Sequence, residues 1–302
     1  MMPDSDNTQT ILRRKWLNGW NLFWLIAIPM SLIMVYEMSR TDMSVPPGVS
    51  HMIGFSVKFA VPFIYLVVAA SALPVLYPAA FSSWLLRNRK YIGMCFAVAM
   101  AWQGAFIFLM SNFHRDYYFD EIFFLRDELE GSTGYIFLTA MVLTSFKFGR
   151  QFLSQQQWKV LHRCGIYFLW AYPFSVYWWN LSYYPDPQLI DHVFYWAGFI
   201  AFASRISAYG VKRQRALDSA GIGAAPIARL TGWAVVLLGV FWSAASLGLQ
   251  QSTTAFLTAQ AWSANLELWL PFWPFEPFLS LMAMALGTMM MTSRPTEVPQ
   301  PA

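Results

Sequence analysis

His162 lies in the string Trp158-Lys159-Val160-Leu161-His162-Arg163 and, of the four histidines in the chain, is the one placed inside an apolar run. An imidazole buried at the mouth of a membrane helix is a candidate heme ligand, because a ring nitrogen can offer its lone pair to an axial position on iron. His51, His114 and His192 fall at the edges of apolar runs. His114 is followed by Asp116 and Asp120, a grouping that suits either a metal ion or an interfacial polar segment. Lys58 is a charge within the second apolar run; such charges are functional hypotheses by default, although a lysine near the interface can also reach outward to water. The two cysteines, Cys95 and Cys164, are too few for a disulfide framework, an iron-sulfur cluster or a cysteine-based zinc site, and read as small packing residues.

The elements that must position these residues are membrane helices. Of 302 residues, 57% are hydrophobic, 18% aromatic and only 12% charged, and the mean hydropathy is +0.41. Soluble domains carry about 25% charged residues, so the apolar surplus must face lipid. A span needs roughly 17 to 25 apolar residues, and each must be helical, since lipid offers no partner to a backbone amide. By that measure the sequence predicts an all-α, polytopic membrane helix bundle of about eight transmembrane helices. They fall at 18 to 37, 52 to 78, 91 to 112, 132 to 147, 160 to 182, 190 to 209, 229 to 249 and 270 to 291.

Charge placement follows the rule that cytoplasmic loops are rich in Lys and Arg. Arg13, Arg14 and Lys15, then Arg87, Arg89 and Lys90, then Lys147, Arg150 and Lys159, then Arg205 through Arg229, and finally Arg294, mark one side. Asp116, Asp120, Glu121, Asp127, Glu128 and Glu130, with Asp186 and Asp191, mark the other. Both termini are expected to be cytoplasmic. The net charge of +4 is accordingly topogenic, suits contact with anionic membrane lipids, and implies no nucleic acid. No cleavable signal peptide is expected, so the first helix stays as an anchor. The expected divisions are a tail at 1 to 17, a six-helix core at 18 to 216, a linker at 217 to 228, a two-helix appendage at 229 to 291 and a tail at 292 to 302. Pro271, Pro274 and Pro277 recur at every third position, oppose regular helix and suit an extended or broken entry to the last span at the outer interface, with Glu276 near the headgroups.

Within residues 18 to 216 several landmarks occur in order. They are His51-Met52-Ile53-Gly54 with Lys58-Phe59, Arg87-Asn88-Arg89-Lys90-Tyr91-Ile92-Gly93, Leu143-Thr144-Ser145, Trp158 to Arg163, and Pro173. In these the chain resembles the ferric-reductase-like transmembrane superfamily, and within it the heme-binding membrane subunits of bacterial methionine-sulfoxide reductase systems. The resemblance implies a bundle in the bacterial inner membrane that holds heme b and passes electrons to an outer-side partner. It places ligands at the positions of Gln103, His162 and Ser175, of which only one is histidine. With about 1.5 Å of rise per residue, Gln103 and Ser175 lie roughly 20 and 24 Å from the inner boundary and His162 only about 5 Å. The two lost positions are therefore a depth-matched pair, able to hydrogen-bond to each other or to a helix backbone.

Two functions follow from the resemblance. One is a membrane electron-transfer subunit using His162 with water, Met94 or Met100 opposite. It would depend on a separate donor, because the sequence holds no flavin or nicotinamide domain. The other is a heme-free scaffold or assembly subunit of a larger membrane complex, with a protein partner on the outer side or within the membrane. A transporter is weaker, since the paired helix interruptions of a midplane site are missing. No catalytic residue is expected in the chain itself.

Overall fold

The computed structural model describes residues 10 to 221, 225 to 257 and 277 to 293. All eight long elements within them are helices: α1 (Gly19–Arg40), α2 (Pro46–Ala69), α3 (Ala80–Phe113), α4 (Leu125–Thr144), α5 (Gln155–Tyr183), α6 (Leu189–Ser219), α7 (Pro226–Leu257) and α8 (Leu279–Met291). Pro271, Pro274, Glu276 and Arg294 lie outside the described residues.

The expected count of about eight transmembrane helices, six in a core plus two, is corrected. Among the described residues four helices are long and apolar enough to cross a bilayer: α1, α2, α3 and the Pro226–Ala245 part of α7. The predicted runs at 132 to 147, 160 to 182 and 190 to 209 do fold as helix, but the helices extend into polar sequence. α4 opens on Asp127, Glu128 and Glu130; α5 carries Lys159, His162, Arg163 and Asn180; α6 carries Asp191, Arg205 and four further charges up to Asp218. Their Trp and Tyr residues, which made the runs look apolar, are amphipathic and suit an interface as well as a core. Among the described residues of the last predicted run, α8 has 13 residues, about 20 Å at the helical rise and short of the ~30 Å hydrocarbon layer. The second run also ends early. α2 stops at Ala69, and Leu73–Leu76 forms a separate short turn of helix.

The chain divides into two compact units, residues 1 to 70 with 78 to 172, and residues 71 to 77 with 173 to 302. In the first, α2 and α3 form an antiparallel pair. Val49 and Met52 near the start of α2 pack with Phe106 and Met110 near the end of α3, and with Tyr118 beyond it. Phe23 and Ala27 of α1 meet Cys95 of α3 in a second cluster. α1 and α2 are joined by a close turn in which a Cβ on Gly48 would lie 1.9 Å from the Asp42 carbonyl oxygen, so only glycine fits. The acid-rich segment after α3 is fastened by Tyr118, whose hydroxyl donates to the Glu128 carboxylate. Burial, and then Glu128, push the Tyr118 phenol up to about 12.

In the second unit α7 and α8 approach at backbone distance. A Cβ on Gly287 would lie 2.5 Å from the Gly232 carbonyl oxygen, and one on Gly239 would lie 2.6 Å from that of Ser280. Small residues are what permit such contact where the surrounding lipid supplies no hydrophobic drive to pair. α6 joins them through the buried Tyr195, whose hydroxyl donates to the Ser243 carbonyl at 2.9 Å and whose ring stacks on Phe174 at 5.4 Å. Gly287→Val should therefore part α7 from α8 and lower the apparent melting midpoint of the detergent-purified protein by several degrees. Gly54→Ala, where a Cβ meets nothing within 4 Å, should leave it nearly unchanged. Equal effects of the two would contradict this packing.

Candidate functional site

His162 sits in the second turn of α5, half-buried, against the C-terminal end of α4. Its Nε2 lies 3.0 Å from the Thr144 hydroxyl oxygen. That hydroxyl also lies 2.6 Å from the Ala140 carbonyl oxygen one turn back in α4. A threonine hydroxyl has one proton, a carbonyl oxygen has none, and two oxygens this close without a proton between them would repel. The Thr144 proton therefore goes to Ala140, and the proton in the contact with His162 comes from the imidazole. The network assigns the Nε2–H tautomer.

Trp158, one turn earlier in α5, completes the arrangement. Its indole Nε1 donates to the Thr144 carbonyl at 3.1 Å, and its ring centroid lies 4.3 Å from that of His162. The Arg150 guanidinium sits 5.4 Å over the other aromatic surface of this group, the Trp158 ring. The turn that returns Arg150 to the site depends on Gly149, where a Cβ would fall 2.3 Å from the Leu143 carbonyl oxygen. α5 is not among the four apolar spans. Burial, followed by the positive charges of Arg89 and Arg150, lowers the His162 pKa from the ordinary 6.5 to about 4. The imidazole is neutral near pH 7 and acts as a hydrogen-bond donor joining α4 to α5.

Gln103 of α3 is engaged with α4. The Tyr135 hydroxyl lies 3.1 Å from the Gln103 side-chain oxygen and 3.1 Å from the Met100 carbonyl, so one proton is shared between two acceptors. Gly104 makes room for this, since a Cβ there would meet the Tyr135 ring at 3.4 Å. Ser175 follows Pro173 in α5 and belongs to the second unit. The three positions that the resemblance implies as heme ligands thus comprise an amide, a hydroxyl and an imidazole. An iron bond through Nε2 of His162 would require displacing its proton and giving up Thr144. Neither an amide nor a serine hydroxyl is a usual axial ligand for heme b, and His162 is held by Thr144 in this arrangement.

The remaining candidates are dispersed. Lys58 is exposed on α2, and His114 caps the end of α3 with its backbone amide on the Met110 carbonyl at 3.0 Å. Among the described residues no group of three or more His, Cys, Asp or Glu side chains is placed to hold a metal ion, so His114 and Asp116 are not gathered into one. His51 lies 3.0 Å from the Glu37 carboxylate, joining the start of α2 to the end of α1. Cys95 is buried and Cys164 exposed. Sequence reading missed Tyr135 and Arg150 as partners of the site. Neither carries a local pattern; each is brought in by helix packing or by the Gly149 turn.

No family model, no curated protein and no solved structure matches this chain. What stands is a multi-pass helical membrane protein whose polar residues at this site are occupied with one another.

A histidine with a folded pKa of about 4 and an unfolded value near 6.5 binds fewer protons folded than unfolded between those values. Its contribution to stability is complete above about pH 6.5 and is lost as the pH falls toward about 4. His162→Gln, whose amide can still donate to Thr144 but does not titrate, should show a shallower loss of melting midpoint across that window than the unaltered protein. Parallel profiles would show that His162 is not buried as described.

Proposed function

We propose that this chain is a heme-independent membrane subunit of ferric-reductase-like descent, whose helices serve as a scaffold or assembly element in a larger complex of the bacterial inner membrane. The observation that carries this reading is the hydrogen bond from His162 to Thr144. The one histidine in the ligand positions spends its Nε2 proton on joining two helices, and Gln103 is likewise spent on Tyr135. Replacing a ligand by a residue that pairs with its neighbours removes the cost of a buried polar group with nothing to bond. The ordered landmarks from His51 to Pro173 support the descent, and the loss of histidine from two of three positions supports the change of role.

In this role His162, Thr144, Trp158, Gln103 and Tyr135 are structural. They fix the order and rotation of α3, α4 and α5 so that partner subunits meet a defined surface. No proton or electron transfer is assigned to them.

The test is an absorption spectrum of the detergent-purified protein, oxidised and then reduced with dithionite, after expression with added heme precursor. No Soret band is expected, and His162→Ala and Thr144→Val should be spectrally indistinguishable from the parent. A stoichiometric Soret band that disappears in His162→Ala would overturn the scaffold reading in favour of an electron-transfer subunit.

A further inference from the structure

The hydrogen bonds of the site fix α4 in rotation as well as in place. On one side Tyr135 reaches Gln103 and the Met100 carbonyl of α3 at 3.1 Å, Lys90 donates to the Ser145 carbonyl at 2.7 Å, and the Tyr118 hydroxyl meets Glu128. These pairs set α4 antiparallel along α3. On another side α5 holds Thr144 through His162 and Trp158, and comes so close that a Cβ on Gly165 would fall 2.4 Å from the Met141 sulfur. One side is left. Between residues 128 and 144 the exposed side chains of α4 are Leu129, Ser132, Ile136, Thr139 and Leu143.

These side chains recur alternately three and four positions apart, and so form one narrow seam down the helix. Within it, large apolar side chains alternate with small hydroxyls: Leu129, then Ser132, Ile136, Thr139 and Leu143. The outward side of α1 is different. There Trp24, Leu25, Ile28, Leu32, Ile33 and Val35 make a broader exposed face without a hydroxyl, which is what contact with acyl chains alone requires.

Small hydroxyl residues set between large apolar ones are what helix pairs in lipid use, since they admit close approach and bond across the pair. A hydroxyl both donates and accepts, so it is complementary to its own copy. Charge allows the same pairing: Glu128 is turned to Tyr118, and residues 131 to 146 hold no Asp, Glu, Lys or Arg, so like meets like without repulsion along the seam. Two copies inserted in one membrane have α3 in the same direction. Their α4 helices therefore meet in parallel about a two-fold axis, and each seam residue faces its counterpart. We propose that the α4 seam is the contact with a second copy of this chain, the hydroxyls of Ser132 and Thr139 each paired with their counterparts across the axis. The proposal rests on the scaffold reading and names a partner for it.

The experiment uses the full chain in the membranes of the expressing cell, carrying Cys164→Ala and one further substitution to cysteine, and reads disulfide-linked product after mild oxidation; Cys95 is buried and stays. Ser132→Cys and Thr139→Cys should give several-fold more linked dimer than Leu32→Cys on α1 and Phe108→Cys on α3, which are also exposed. Equal yields at all four, or none at Ser132 and Thr139, would mean that lipid alone covers the seam and would sink the proposal. So would a linked product whose mass is not twice that of the chain, which would assign the seam to another protein. Ser132→Ala with Thr139→Val, both at exposed positions and so opening no packed contact, should lower the dimer fraction in native mass spectrometry several-fold. An unchanged fraction would overturn the hydroxyl pairing. Seam-specific linkage in a protein whose Soret band is lost in His162→Ala would overturn the scaffold reading alone, whereas a heme-free protein without linkage would overturn the dimer alone.

Discussion

Between helices that face hydrocarbon, apolar contact has little power to choose a partner, because lipid tails are as good a neighbour as leucine. Specific pairing then rests on the few polar side chains that must find a mate and on the few glycines that let backbones touch. In the first unit the polar mates are Asn88 of the apolar α3 with Asn18 and Gly19, and, where the less apolar α4 and α5 join the bundle, Tyr135 with Gln103 and His162 with Thr144. In the second they are Tyr195 with the Ser243 carbonyl and the Gly232 and Gly287 contact of α7 with α8. Each is worth roughly 1 kcal/mol, which is small beside the burial of whole side chains. Each nonetheless sets a rotation and a register that burial alone would leave free.

This constraint explains why the functional reading moves from cofactor to scaffold. A ligand histidine needs its coordinating nitrogen unprotonated and unengaged, whereas a helix-joining histidine needs that nitrogen protonated and occupied. His162 is in the second condition, because Thr144 has already given its only proton to Ala140. Gln103 is likewise occupied, by the Tyr135 hydroxyl at 3.1 Å. At the basic end of the first unit the side chain of Asn88 is occupied by Gly19 and Asn18, and these hydrogen bonds gather basic segments that are distant in sequence.

Some of this was legible in the residues. The helical class follows from an apolar excess, and both ends of α1 and the C-terminal end of α3 lie within three residues of the predicted boundaries, whereas α2 ends nine residues early and α3 begins eleven residues early. The span count was not legible to the same degree. Counting Trp and Tyr as apolar merged interfacial sequence with hydrocarbon-facing sequence in α5 and α6, and a continuous run at 52 to 78 hid the break after Ala69. In the site, the motif around His162 identified the residue, and the neighbouring landmark held Thr144, but nothing in either string joined them. Tyr135 is separated from Gln103 by 32 positions, so its role exists only once α3 and α4 are packed.

The sequence by itself determined that this chain enters a membrane as helices, and that only one of the three positions marked by the resemblance carries a histidine. These are properties of single residues and short windows, set by transfer free energy and by side-chain chemistry. The tertiary structure decided what the remaining histidine does, which helices are apolar throughout their length, and which side of α4 faces outward. Those depend on which proton reaches which acceptor and on which faces meet, and both are set by helix packing over distances that no local pattern encodes.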